Sequence, residues 1–116
     1  MKKLFLIILT LFLQKAYSQT INLHSNWQFK QEGLTTWYKA TIPGTVHTDL
    51  LNNKLIPDPF YRDNETSLQW IGEKNWEYKT LFNVKQDFNH HNKIQLQFNG
   101  LDTYSEIRQY VSYLPC

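Results

Sequence analysis

Along most of the chain apolar and polar residues alternate in short runs, and Gly, Pro, Asn and Asp separate the runs. A period of two is the signature of strands with one face buried and the other wet. Trp27-Gln28-Phe29-Lys30 is one such run, closed by a Gln31-Glu32-Gly33 turn. A second covers Trp37 to Ile42 and stops at Pro43-Gly44. The clearest is Trp76 to Val84: Trp76, Tyr78, Thr80, Phe82 and Val84 share one face, with Glu77, Lys79 and Asn83 on the other. Ile94, Leu96 and Phe98 alternate with Gln95, Gln97 and Asn99 to predict another strand, joined to the previous one by a polar connection over Asp87–Lys93. One helical turn or two fits Val46 to Leu51, capped by Thr45 and ended by Asn52-Asn53, with Val46, Leu50 and Leu51 on one side. Two prolines and a charged run make Ile56–Ser67 an ordered loop. The fold class is mainly β, in the pattern of a sandwich or jelly roll.

The first 18 residues break this pattern. Lys2 and Lys3 precede an apolar run from Leu4 to Leu13, and Ala16-Tyr17-Ser18 supplies small residues where a signal peptidase cuts. Ten residues, apolar but for Thr10, are too few for a membrane-spanning helix, which needs about 20. A signal peptide over residues 1–18, cleaved after Ser18, is the expectation, and it sends the chain out of the cytosol.

Composition matters once that leader is set aside. The whole chain carries a formal +2, but residues 1–18 hold three lysines and no acid, which leaves nine basic against ten acidic residues, a formal −1. The basicity belongs to the leader, so nothing supports nucleic-acid binding, which needs a basic stripe on the folded domain. The lone cysteine, Cys116, offers no internal disulfide, and the remaining 98 residues depend on their apolar core.

The candidate chemical groups are few. Asn64-Glu65 suggests a glycosidase carboxylate, but retaining glycoside hydrolysis needs two carboxyls about 5–5.5 Å apart, and Asp63, Glu65, Glu73 and Glu77 lie in a loop or on a polar strand face. Solvated or ion-paired roles suit them better. Asn64-Glu65-Thr66 is also a glycosylation sequon, a three-residue match to which no role is given. Trp70 and Trp76 have faces suited to stacking on a pyranose. Trp76 shares its register with Tyr78 and Phe82 and reads as core, whereas loop-like flanks leave Trp70 open to either role. Adjacent His90 and His91 point opposite ways on an extended segment and lack a second ligand cluster, so they do not make a metal site. His47 and Asp49, two apart on a helix, do not face each other.

The segment WYKATIPGTVHTDLLNNKLIPDPFYRDNETSLQWIGEKNWEYKTLFNV, followed by LQFNGLDTYSEI, resembles the N-terminal domain of β-mannosidases in glycoside hydrolase family 2. The resemblance rests on Pro43-Gly44-Thr45-Val46-His47, Ile56-Pro57-Asp58-Pro59-Phe60-Tyr61, Asn64-Glu65, Gln69-Trp70-Ile71, Asn75-Trp76-Glu77-Tyr78, Phe82 and Phe98-Asn99-Gly100-Leu101-Asp102-Thr103, in order, over about Trp27 to Ile107. It implies an incomplete galactose-binding-like jelly-roll domain over residues 19–107. In the family an immunoglobulin-like domain and a TIM barrel follow, and the barrel carries both catalytic glutamates. Asn64-Glu65 matches the family's N-terminal loop and not its barrel Asn-Glu, so no catalytic, metal or cofactor-binding residue carries over to this sequence.

Residues 108–116, Arg108 to Cys116, depart from the family pattern, and a frameshift or premature stop is the expected cause. The resemblance thus implies the truncated, non-catalytic front of an enzyme whose intact form removes terminal non-reducing β-D-mannose from oligosaccharides with retention, and which is inactive by itself. Its partners are a mannose-containing oligosaccharide through the intact parent and the parent's own C-terminal domains, with no nucleic acid, no membrane after leader cleavage and no cofactor. The loop from Pro57 to Asn75 is expected nearest the barrel. Secretion or a periplasm is the expected location, or a lysosome in an animal host. The alternatives are a secreted carbohydrate-binding module without catalysis and an inert product of a broken reading frame.

Overall fold

The structure, a computed structural model, describes residues 18–84, 93–101 and 104–110. The expected signal peptide, most of the Asp87–Lys93 connection, His90-His91, Asp102-Thr103 and the end of the divergent tail lie outside the described residues. The chain divides into two units, Met1–Phe82 and Asn83–Cys116.

The first unit is organised by a three-stranded antiparallel sheet of β1 (Gln28–Gln31), β2 (Tyr38–Lys39) and β3 (Trp76–Lys79) in the order β2-β1-β3. Phe29 sits opposite Tyr38 on one side and Tyr78 on the other, so the three rings fall on one face. Phe29 is fully buried there, 5.7 Å from the Tyr78 ring and 6.1 Å from the Trp76 ring. β1 ends in a tight turn: the Leu34 amide donates to the Gln31 carbonyl at 3.1 Å, with Gly33 at φ +84° in the left-handed region that lacks a penalty only for glycine.

Two expected strands are shorter than their alternation suggests. Trp37–Ile42 contributes only Tyr38–Lys39 and Trp76–Val84 only Trp76–Lys79, because a strand extends as far as its ladder partner and β1 is four residues long. Beyond Lys79, Thr80 turns its hydroxyl to the Ser25 carbonyl at 3.1 Å, and Leu81 and Phe82 are exposed.

The sheet's apolar face is covered by α1 (Val46–Asn52) and by the segment that runs from Ile56 to Ile71. Thr45 caps α1 as expected, its hydroxyl accepting the Thr48 amide at 3.2 Å. The helix closes in a Schellman motif: Leu55 N–H donates to Leu50 C=O and Lys54 N–H to Leu51 C=O, both at 2.9 Å, with Lys54 at φ +58° where glycine is usual. The face assignment of α1 needs correction. Leu50 is buried and Val46 packs on the core, but Leu51 is exposed and Asp49 takes its place, as the i, i+3, i+4 spacing of Val46, Asp49 and Leu50 requires.

Ile56–Ser67 is likewise more regular than a loop. It ends in a short helix, α2 (Asn64–Ser67), followed by a 3-10 turn over Gln69–Glu73 that buries Leu68 and Ile71. Glycine at position 44 is sterically obligatory, since a Cβ there would drive into the Thr41 carbonyl oxygen.

The described part of the second unit has no regular secondary structure. Ile94, Leu96 and Phe98 keep their alternation but form no strand and are 60%, 45% and 39% exposed. Alternation alone supplies no backbone partner, and among the described residues none pairs with them. A Glu106–Arg108 ion pair at 2.8 Å is local. No helix among the described residues is long and apolar enough to cross a membrane.

Candidate functional site

Two polar arrangements stand out, one inside the first unit and one on its surface. The inner one centres on Asp49, which is 1% exposed and the sole buried charged residue among those described. Its Oδ1 accepts the Thr41 amide at 2.8 Å and its Oδ2 the Tyr78 hydroxyl at 3.0 Å. The Asp49 carbonyl accepts the Asn53 side-chain amide at 2.7 Å, and that same amide donates to Lys39 C=O at 2.8 Å. α1 is thereby tied to β3 and to the end of β2. Burial, then the adjacent Asp49 charge and the hydrogen bond to it, push the Tyr78 hydroxyl well above the ordinary phenol range. A tyrosine hydroxyl donating to a buried carboxylate that also accepts a backbone amide is a structural lock.

The outer arrangement is the Asp58–Asn64 turn. The Asp58 side chain accepts the Phe60 amide at 2.9 Å, and its carbonyl accepts the Tyr61 amide at 3.2 Å and the Asn64 side-chain amide at 2.8 Å. Asp58 thus closes an Asx turn and Asn64 staples it. Arg62 adopts φ +52° and lays its guanidinium over the Tyr61 ring, 5.0 Å from its centroid. The product is a braced turn that holds Phe60 at 95% exposure. Asn64 is therefore a scaffold residue, while Glu65 is exposed on α2.

The other candidates separate. Trp76 is half-buried in the core and donates its indole N–H to the Ile71 carbonyl at 3.0 Å. Trp70, 37% exposed, leans on Trp76 with ring centroids 6.2 Å apart. Glu77 pairs with Lys30 at 3.1 Å, whereas Asp63 and Glu73 are exposed on different elements. No hydrogen bond joins these carboxylates among the described residues, and no group of three His, Cys, Asp or Glu there is placed to hold a metal. His47 is exposed while Asp49 is buried, so the two do not meet. The sequence singled out Asp49 only as a partner for His47 and did not show its buried, linking role. Its position three after Val46 and one before Leu50, on the apolar stripe of a short helix, was the available signal.

Residues 27–109 match the family model described as glycosyl hydrolase 2 galactose-binding domain-like. The chain belongs to this family. It is 37% identical over 84 residues to the β-mannosidase of Capra hircus, an alignment that covers 72% of this chain and 10% of the relative. It is 36% identical over 97 residues to β-mannosidase B of Emericella nidulans, covering 80% of this chain and 11% of that protein. Among solved structures, the β-D-mannosidase from Dictyoglomus thermophilum superposes with a TM-score of 0.60 at 40% identity, over 62% of this chain and 9% of that one. The chain thus spans about a tenth of the length of the relatives it matches. Within this galactose-binding-like domain the Asp49 lock and the braced Asp58–Asn64 turn both lie inside the matched residues.

Proposed function

We propose that this chain is the non-catalytic N-terminal part of a β-mannosidase whose intact form removes terminal non-reducing β-D-mannose from oligosaccharides with retention. The observation that carries the reading is the match of a galactose-binding-like domain, Trp27 to Gln109, to β-mannosidases about ten times as long. In this reading the three strands belong to one sheet of a jelly-roll sandwich, residues 1–18 direct secretion, and the braced turn with Phe60, Tyr61 and Trp70 packs against the remainder of the enzyme. Preorganisation of the turn lowers the entropy lost on such packing.

The test is a chimaera. Residues 27–107 replace the matching segment of the Dictyoglomus thermophilum enzyme, and hydrolysis of a chromogenic β-mannoside is measured for the chimaera and for the present chain. Activity in the chimaera with none in the chain supports the proposal; turnover by the chain, or a stable chimaera without activity, overturns it.

A second reading, a secreted carbohydrate-binding module acting without catalysis, is favoured by the exposure of Phe60, Tyr61 and Trp70 on one ordered segment. It requires sugar affinity that Trp70→Ala abolishes in the folded chain.

A further inference from the structure

The sheet face turned away from the core carries an uneven charge. The antiparallel register sets Gln28 of β1 opposite Lys39 of β2 and Lys79 of β3, so Lys39, Gln28 and Lys79 form one row across the sheet. Because strands lie about 4.8 Å apart, the two lysine backbones are separated by roughly 10 Å with the Gln28 amide between them. In the next row Lys30 faces Glu77 and pairs with it, and the Lys30 side chain is only 14% exposed. Trp37 precedes β2, and its ring lies beneath two ammonium groups: Lys79 Nζ is 3.8 Å and Lys30 Nζ 5.1 Å from its centroid.

Among the described residues neither Lys39 nor Lys79 has a carboxylate at ion-pair distance, whereas Lys30 has Glu77. The row is therefore cationic on a chain whose formal charge without residues 1–18 is −1. Both cations lie in one row with only a neutral side chain between them, so a ligand with two suitably spaced carboxylates can pair with both. The indole holds Lys79 in place, which removes part of the side-chain entropy that binding would otherwise cost. Gln28, a neutral donor and acceptor between the two cations, can both donate to and accept from a hydroxyl, whereas a carboxylate uses only its donor side.

The geometry points to an acidic-oligosaccharide site on this face, in which Lys39 and Lys79 bind sugar carboxylates and Gln28 hydrogen-bonds an intervening hydroxyl. The inference rests on the carbohydrate reading above and adds that the glycan met by this domain carries uronic acid groups.

The experiment titrates the full chain with trigalacturonate, mannotriose and triglutamate by calorimetry at low salt. Trigalacturonate is expected to bind, with mannotriose and triglutamate each weaker by roughly tenfold or more. Lys39→Gln with Lys79→Gln is expected to weaken trigalacturonate by roughly tenfold, the sum of two exposed ion pairs, while Lys54→Gln with Lys74→Gln leaves it unchanged. Trp37→Phe, which keeps an aromatic platform, retains binding. Equal binding of triglutamate would reduce the site to unspecific charge, and equal binding of mannotriose would remove the role of the lysines. An equal loss in the Lys54 and Lys74 variant, or no trigalacturonate binding at all, also overturns the inference. The β-mannosidase reading is judged separately, because an active chimaera carrying Lys39→Gln and Lys79→Gln keeps that reading whatever the titration gives.

Discussion

The hydroxyl of Tyr78 on β3 donates to Oδ2 of Asp49 on α1 across 3.0 Å, while the other carboxylate oxygen takes the Thr41 amide just past β2. One buried carboxylate thus joins α1 to β3 and to the chain leaving β2. Asp49→Ala strands both donors and is expected to cost about 2–4 kcal/mol, with Asp49→Asn costing about half, since an amide oxygen still accepts one of them. Urea unfolding of both, with Tyr78→Phe and the double variant, measures the pair; a coupling energy near zero would remove Asp49 and Tyr78 as a unit.

The same pair predicts an alkaline limit. Tyr78 has its folded-state pKa raised by burial first and by Asp49 second, above an ordinary value of 10.0. A raised pKa means that the folded state holds this proton more tightly than the unfolded chain. The contribution is therefore complete below about pH 10 and is lost as pH rises above it. Stability measured from pH 8 to 11 should fall more steeply in the wild type than in Tyr78→Phe. Parallel curves would show that Tyr78 is not the group responsible.

Lys54 occupies the left-handed position that closes α1, at φ +58°. Lys54→Gly relieves a Cβ clash but adds freedom to the unfolded chain, so a net gain of about 0.5–1 kcal/mol is expected. Gly44→Ala acts in the opposite sense, because the new Cβ meets the Thr41 carbonyl, and a loss of about 1–3 kcal/mol is expected. Thermal unfolding of the two variants should move the midpoint in opposite directions.

Trp70 and Trp76 touch each other yet differ in what they hold. Trp76 packs on Phe29 and caps the Ile71 carbonyl, so Trp76→Ala should cost about 3 kcal/mol or more. Trp70→Ala removes a partly exposed ring and should cost about 1 kcal/mol. Similar losses for both would place Trp70 in the core.

Periodicity made three strands, the Thr45 cap and the turn at Gly33 legible, because each depends on residues within a few positions of one another. The family was legible as well, through the order of Trp, Pro and Gly residues from Trp27 to Thr103. Strand length was not: Tyr38–Lys39 and Trp76–Lys79 end where β1 ends, and Ile94–Phe98, with the same alternation, forms no strand without a ladder partner. Nor was the role of Asp49, since a carboxylate on a helix reads as solvated until the tertiary fold brings a tyrosine from 29 residues away and an amide from 8 residues away against it. Local spacing determined which strand faces were apolar. Only the packing of distant segments decided which backbone groups found partners and which charge was buried, because hydrogen bonds between remote residues carry no mark in the sequence until the chain closes on itself.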